Sequence, residues 1–384
     1  MNISQKKTGP AFLILVFLLV CLAGCEKAQT PALKNRGYIY LGLVAPQSGP
    51  LKPYGENLIR GAQMAIDAVN AAGGIKGRPV KLRLEDEAQI ADMPGSRRLA
   101  RDPRVHVVIG HLLEHAFAAS RPMYLKANLP VLLPVLSGDD ISLSDKGLFF
   151  RLMTSDSAQA EALAEYAIGT LKMRRLLVIH EDSDYGRSLA QSFARALKQK
   201  KTASIKAIVF SNPEASREKL MIQATVSRPE AVFLALSARS AVSVAKVLHD
   251  HGLKATILGT QALAMNDAAI FLEKLSAQAY LCLPFDDKDA DPKARKFIDD
   301  FKARYHMAPD WLAVLANDAV NLTLEALVAA GDQADRITEY LNGLDSPQKA
   351  FQGLGGKYYF KSDGRGVKPV FITKVEPSLY NRLP

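Results

Sequence analysis

Several groups of residues in this 384-residue chain have the types and spacing that chemistry uses. Ser216-Arg217-Glu218-Lys219 and Ser346-Pro347-Gln348-Lys349 both fit Ser-x-x-Lys, in which a nearby lysine helps a serine into acyl transfer. The companion motifs are missing: Lys-Thr-Gly occurs only at Lys7-Thr8-Gly9, within the N-terminal leader, and Ser-Asp-Asn does not occur. His249-Asp250-His251 has the composition of a metal cluster, but it stands at a helix end before Gly252. Histidines there bond the last carbonyls and meet the helix dipole. Asp286, Asp287, Asp289 and Asp291 are spaced like a calcium loop, yet Pro292 takes the position that needs glycine and Ile298 the one that needs an acid. Cys282 sits alone in the apolar run Ala279–Leu283, the setting of a buried thiol rather than a nucleophile. There is no Gly-x-Ser-x-Gly, no His-Glu-x-x-His and no Walker loop. These residues support neither a nucleophile-base pair, nor a metal site, nor a cofactor site, and the expectation is a protein that is not an enzyme.

The elements that must position any site begin with a leader. Lys6 and Lys7 precede an unbroken apolar run from Ala11 to Ala23, which ends at Leu22-Ala23-Gly24-Cys25. A basic region, a short apolar region and small residues before a cut are the parts of a secretory signal. The run is too short for a spanning helix, which needs roughly 20 residues. A cysteine directly after Leu-Ala-Gly resembles the bacterial lipobox, which implies lipidation at Cys25 and a periplasmic or cell-surface protein held to the membrane. Residues 1–24 are read as the signal peptide, and 25–37 as the lipidated cysteine and its tether.

The remaining body is too long for one core and suits two domains. Net formal charge is +10, but the basic residues are scattered rather than striped with aromatics, so nucleic acid is not an expected partner. From Tyr38 onward strand and helix patterns alternate. Tyr38–Val44, Val80–Leu84, Val105–Ile109 and Val131–Val135 read as strands, and helices lie between them. The first helix ends at Gly73-Gly74, as glycines after a C-terminus do. A second series runs through the strands Leu176–His180, Ile205–Phe210, Ala231–Leu236 and Thr256–Gly259. Helices follow at Ala294–Tyr305, Leu312–Ala330 and Asp335–Leu341, and the chain closes with Lys357–Phe360 and Val367–Val375 as β segments. Two βαβα series predict an α/β fold with two doubly wound parallel sheets. Ligands of such sheets bind outside the carboxyl ends of the strands, and two sheets face to face make a cleft.

Four segments together resemble the type I periplasmic binding fold, in particular the leucine/isoleucine/valine-binding family of ABC transporters. The first is Gly42–Pro50 with Tyr54-Gly55, then Arg60-Gly61-Ala62 and Asn70–Val80. The second is Val108-Ile109-Gly110-His111. The third is Phe150-Arg151 with Asp156 and Gln159, then Ile179–Gly186. The fourth is Gly353-Leu354-Gly355-Gly356 through Tyr359-Phe360 to Asp363-Gly364. The resemblance implies two lobes, 38–155 plus 285–365 and 156–284 plus 366–384. It also implies three hinge crossings near 153–158, 282–286 and 364–368, and capture of an amino acid or related small polar solute for a membrane permease. A regulatory or sensory lipoprotein of the same fold is the alternative.

In relatives that bind aliphatic amino acids, one lobe holds the ligand carboxylate with hydroxyls and N–H groups, and an acid in the other takes the ammonium. Carried over by motif, Glu114 stands where the family has serine, Ser137 at the second hydroxyl, Tyr185 at the second-lobe tyrosine and Gln261 in place of the acid. Tyr54 begins the first helix facing a cleft. Phe117, one turn after Glu114, and Ser237, after the strand Ala231–Leu236, complete the expected ligand set. Two positions thus depart from the pattern, in opposite senses. Either Glu114 pairs with a cationic or amide-bearing ligand, or it points to solvent, or His115 lines the cleft instead. A ligand carboxylate facing Glu114 would be repelled by a few kcal/mol (order of magnitude, at intermediate dielectric).

Overall fold

The computed structural model describes residues 37–377, apart from 90, 142, 144–146, 201–203, 211–212, 254 and 266–267. The leader, Cys25 and the tether as far as residue 36 lie outside the described residues.

The first series runs β1 (Ile39–Ala45), α1 (Lys52–Ala71), β2 (Val80–Asp86), α2 (Pro94–Arg101), β3 (Val105–Ile109), α3 (Glu114–Ala127), β4 (Val131–Leu133) and β5 (Phe149–Arg151). Its strands form one parallel sheet in the order β2-β1-β3-β4-β5. β1 is buried almost end to end, as a parallel strand covered on both faces must be. α1 stops at Ala71, before Gly73 and Gly74, as the sequence implied.

The second series runs α4 (Asp156–Gly169), β6 (Arg175–Glu181), α5 (Asp184–Lys200), β7 (Ser204–Phe210), α6 (Pro213–Ser227), β8 (Ala231–Ala235), α7 (Ala238–Asp250), β9 (Thr256–Thr260), α8 (Ala268–Leu275) and β10 (Gln278–Leu283). The chain then adds α9 (Pro292–Tyr305), α10 (Trp311–Ala330), α11 (Ala334–Gly343), β11 (Phe351–Gly353), β12 (Gly356–Phe360), β13 (Gly366–Val367) and β14 (Phe371–Lys374). The second sheet has the order β14-β10-β9-β8-β6-β7. The fold is therefore the two-lobed α/β architecture that the alternation predicted.

Three details differ from the sequence reading. β14 is antiparallel to β10, so the second sheet is mixed. β11, β12 and β13 make a separate three-stranded sheet. The segment read as one strand, Val367–Val375, is split around Lys368-Pro369-Val370, and its halves serve different sheets. Pro369 has no N–H to give a ladder, which accounts for the break.

Helices from the end of the chain complete the first lobe. α10 has the length and apolarity of a membrane span, but 78% of its apolar stretch is buried and it forms the spine of the first core. It crosses α1 closely at Gly61, where a Cβ would stand 2.0 Å from the Ala313 carbonyl oxygen. Asn317 seals that crossing by donating to the Gly61 carbonyl at 3.0 Å. The Gly353–Gly356 turn is held by buried Asp318, which accepts from the Leu354 and Gly355 N–H groups and from the Tyr358 hydroxyl at 2.6–2.8 Å.

The chain enters or leaves the second sheet's series after β5, after β10 and after β13. One buried residue, Lys368, bonds to all three passages. The Thr154 hydroxyl donates to the Lys368 carbonyl at 3.0 Å, and the Lys368 ammonium donates to the carbonyls of Pro284 and Pro369. Burial brings the Lys368 pKa down to about 8, against the pull of Asp318 and Cys282. Cys282 itself is wholly buried in β10, its thiol pushed up to about 12 by burial.

Candidate functional site

The strands of both sheets run so that their carboxyl ends carry the loops at which the expected site residues lie. Ser137 follows β4 and Gln261 follows β9. The Gln261 amide donates to the Ser137 hydroxyl oxygen at 2.9 Å, a buried hydrogen bond from the second sheet's loops to the first's. Tyr185, near the start of α5, meets Thr260 at 3.2 Å, one residue before Gln261. Burial, and then the neighbouring carboxylates, raise the Tyr185 phenol well above its ordinary pKa. Glu114 begins α3 and accepts from the Gly138 N–H at 2.8 Å, so its carboxylate lies against the loop that carries Ser137. Four of the expected residues are thus gathered at one place.

The remaining three are held differently. Phe117 is core: it is buried among aromatic neighbours, edge-on to Phe149 with ring centroids 5.3 Å apart. Tyr54 is buried in the first core. Ser237 is exposed and tied to Glu181, with its hydroxyl 2.7 Å and its N–H 3.0 Å from the same carboxylate oxygen. His115 is exposed, and it joins Glu114, Phe117, Arg121, Asp140 and Ile141 around a cavity of about 300 Å³.

One expectation is corrected. The resemblance places the N–H groups that hold a ligand carboxylate just after Gly110-His111. Instead they are answered from within by Glu87, which is wholly buried. It accepts from Leu112 N–H at 2.9 Å and Leu113 N–H at 3.2 Å, satisfying donors at the start of α3. His111 Nδ1 lies 2.9 Å from the same carboxylate, and its Nε2 lies 3.0 Å from the Tyr124 hydroxyl. A carboxylate can only accept, so Nδ1 carries the proton.

The same answer recurs around the cleft. Asp86 takes the Gln47 N–H and the Ser48 hydroxyl in the loop after β1. Asp139 takes the Ser157 N–H and hydroxyl at the start of α4, and Glu181 takes Ser237. Burial raises the Glu181 carboxyl, but the Ser237 hydroxyl and N–H outweigh it and hold the pKa below its ordinary value.

Acceptors fare otherwise. Asp156, the first residue of α4, is 4% exposed, and its backbone N–H donates to the Ser137 carbonyl at 2.9 Å. Among the described residues its Oδ1 has no hydrogen-bond partner, and neither has Oε1 of buried Gln159, one turn on, nor Oε1 of Gln261. Gln159 is oriented by its own Nε2, which donates to the Thr154 carbonyl at 3.0 Å. Burial raises the Asp156 carboxyl to about 6; the Glu114 and Asp139 carboxylates add to this, while Ser137 and Gln261 pull the other way. Arg151 is equally buried, its Nη1 donating to the carbonyls of Ser137 and Gly138 while its Nε has no hydrogen-bond partner among the described residues. Asp156, Gln159 and Arg151 were seen in the sequence as part of a motif but were not placed in the site. A buried acid opening a helix was the signal available.

The histidines set aside in the sequence do bond carbonyls: His249 meets Leu275 at 3.2 Å and His251 meets Val247 at 2.8 Å. Asp291 caps α9 through the Ala294 N–H, and Asp286 accepts from the Thr373 hydroxyl.

The chain's relatives share this architecture. The Leu/Ile/Val-binding protein homolog 3 of Brucella melitensis is 24% identical over 321 residues, covering 83% of this chain and 86% of the relative. A solved ABC transporter substrate-binding protein from Desulfitobacterium hafniense, in complex with Leu, superposes with a TM-score of 0.77 at 20% identity, covering 91% of this chain and 99% of that one. A solute-binding protein of an ABC transporter from Rhodopseudomonas palustris, in complex with 3,4-dihydroxybenzoic acid, gives 0.70 at 17% identity over 88% and 93% of the two chains. The family model described as periplasmic binding protein matches residues 38–378, nearly the whole described chain, and this protein belongs to that family.

Proposed function

We propose that this protein is the extracytoplasmic solute-binding subunit of an ABC importer. It captures an amino acid or related small polar solute between its lobes and delivers it to a membrane permease without chemical conversion. The observation that carries this reading is the Gln261–Ser137 hydrogen bond between the strand-end loops of the two sheets. A solute that touches both sets of loops favours the closed arrangement by its differential affinity, and hinge closure is the corresponding motion. The relatives support it, since one is a Leu/Ile/Val-binding protein homolog and another a substrate-binding protein in complex with Leu.

In this reading the moving bodies are 38–155 with 285–365 and 156–284 with 366–384. Ser137, Gln261, Tyr185 and Glu114 contact the solute. Cys25 carries the lipid that keeps the protein at the membrane, and residues 26–37 are its tether. The test is compaction: small-angle scattering, or a dye pair across the lobes, during a screen of amino acids, amines, amides and aromatic acids. At least one class must shorten the distance and raise the melting temperature. If no compound of any class does so, the solute-binding function is wrong. Release of Cys25→Ala protein from membranes tests the anchor separately.

A further inference from the structure

The unpartnered polar atoms around the cleft are lopsided. The N–H donors named above are answered by the protein's own carboxylates: Gln47 by Asp86, Leu112 and Leu113 by Glu87, Gly138 by Glu114, Ser157 by Asp139 and Ser237 by Glu181. An incoming carboxylate would have to displace one of these groups and then sit beside the others. Against that, the buried carboxylate and amide oxygens without a hydrogen bond among the described residues are Asp156 Oδ1, Gln159 Oε1 and Gln261 Oε1. Two lie three residues apart on the first turn of α4, and the third is on the residue that bridges to Ser137. Buried polar atoms are ordinarily paired, and leaving them unpaired is unfavourable. Among the described residues, the Arg151 Nε beside Asp156 is a donor without a hydrogen bond, but it belongs to a guanidinium already committed to the Ser137 and Gly138 carbonyls.

Charge points the same way. Asp156 is faced by Glu114 and Asp139 from the first sheet's side, with Arg151 as the cation beside it, and Glu181 at the end of β6 faces Tyr185, as Asp156 and Glu114 also do. A positive N–H donor satisfies the three oxygens and offsets the repulsion among the acids, through charge-assisted hydrogen bonds.

We propose that the cleft selects a solute whose recognised end is a cationic N–H group, an alkylammonium or guanidinium, with no carboxylate beside it, held by Asp156, Gln159 and Gln261. This deepens the solute-binding function above and rests on it. It departs from the zwitterionic amino acid, for which the same cleft supplies acceptors but no open anion subsite.

The test is calorimetric titration of the mature protein at pH 7.5 with compounds of one shape: 3-methylbutylamine, leucinamide, leucine, 4-methylpentanamide and 4-methylpentanoic acid, with agmatine as the guanidinium probe. The amines should bind at least about tenfold tighter than leucine, and the acid should give no heat. Asp156→Asn should weaken amine binding at least about tenfold while melting no lower than the parent, and Gln159→Met should weaken it severalfold. Amine affinity should also fall below pH 6, where the carboxyl takes up its proton. Leucine or the neutral amide binding as tightly as the amines would overturn the proposal, as would amine binding indifferent to Asp156→Asn. Compaction by leucine with every amine silent defeats this inference and leaves the solute-binding function standing; no compaction by any compound defeats both.

Discussion

Glu87 and Asp156 are both buried acids beside strand-end loops, and they have been treated oppositely. Glu87, in the first lobe, has every approach filled: two backbone N–H groups and His111 point at its oxygens. Asp156, where the chain enters the second lobe, keeps Oδ1 without a hydrogen-bond partner among the described residues. Both carboxylates have left water, which is costly unless hydrogen bonds replace it. Glu87 is compensated from within and is part of the scaffold. Asp156 is compensated only in part, and its raised pKa records the deficit. A buried acid is thus read by what surrounds it, not by its burial.

The comparison breaks most sharply at Glu87. Glu87→Leu strands the α3 N–H groups and His111 together, and equilibrium urea unfolding should show a loss of about 3–5 kcal/mol. Asp156→Asn should do the reverse in the ligand-free protein. The folded pKa of about 6 lies above the ordinary 3.8, so the native state holds the extra proton between them. Stability therefore falls as pH rises from about 4 to about 6 and stays lowered above, by about 3 kcal/mol. The variant should lose that slope. Asp310, also pushed up to about 6 by burial, titrates in the same window in both proteins, so the difference between their melting curves isolates Asp156.

Glu114 provides the intermediate case. A Cβ at Gly138 would stand 2.3 Å from its Oε1, so Gly138→Ala must push the carboxylate off the Gly138 N–H. The side chain is flexible, and thermal melting should drop by an amount equivalent to about 1 kcal/mol. Smallest is Ser237→Ala, which removes an exposed hydroxyl from the half-buried Glu181 carboxylate and should change stability by less than about 1 kcal/mol in the same assay. If it rivals Glu87→Leu, compensation from within does not separate the two kinds of acid.

Much of this was legible in the chain. The βαβ alternation marked both sheets because parallel strands buried on two faces are apolar throughout, as Ala231–Ala235 shows. β5 and β11 escaped because three residues carry no period, and α8 because its helical stretch is only eight residues. In the site, Ser137 and Gln261 were placed by motif and meet as neighbours. Phe117 shared a helix with Glu114, but the first turn of α3 turns its ring inward against Phe149. Nothing in the order of residues announced that Glu87 would reach the N–H groups after His111. That contact joins residues 25 and 26 positions apart, and only the folded sheet brings them together.

The knot at Lys368 has a practical corollary. When two passages are fastened by one ammonium and the third by the carbonyl of the same residue, the hinge closure proposed above pivots there, and displacement grows with distance from the pivot, as along an oar. Optical reporters attached at the far rims will register solute uptake strongly, and labels beside Thr154 or Pro284 will hardly stir. Anyone turning this molecule into a sensor should leave that fulcrum untouched.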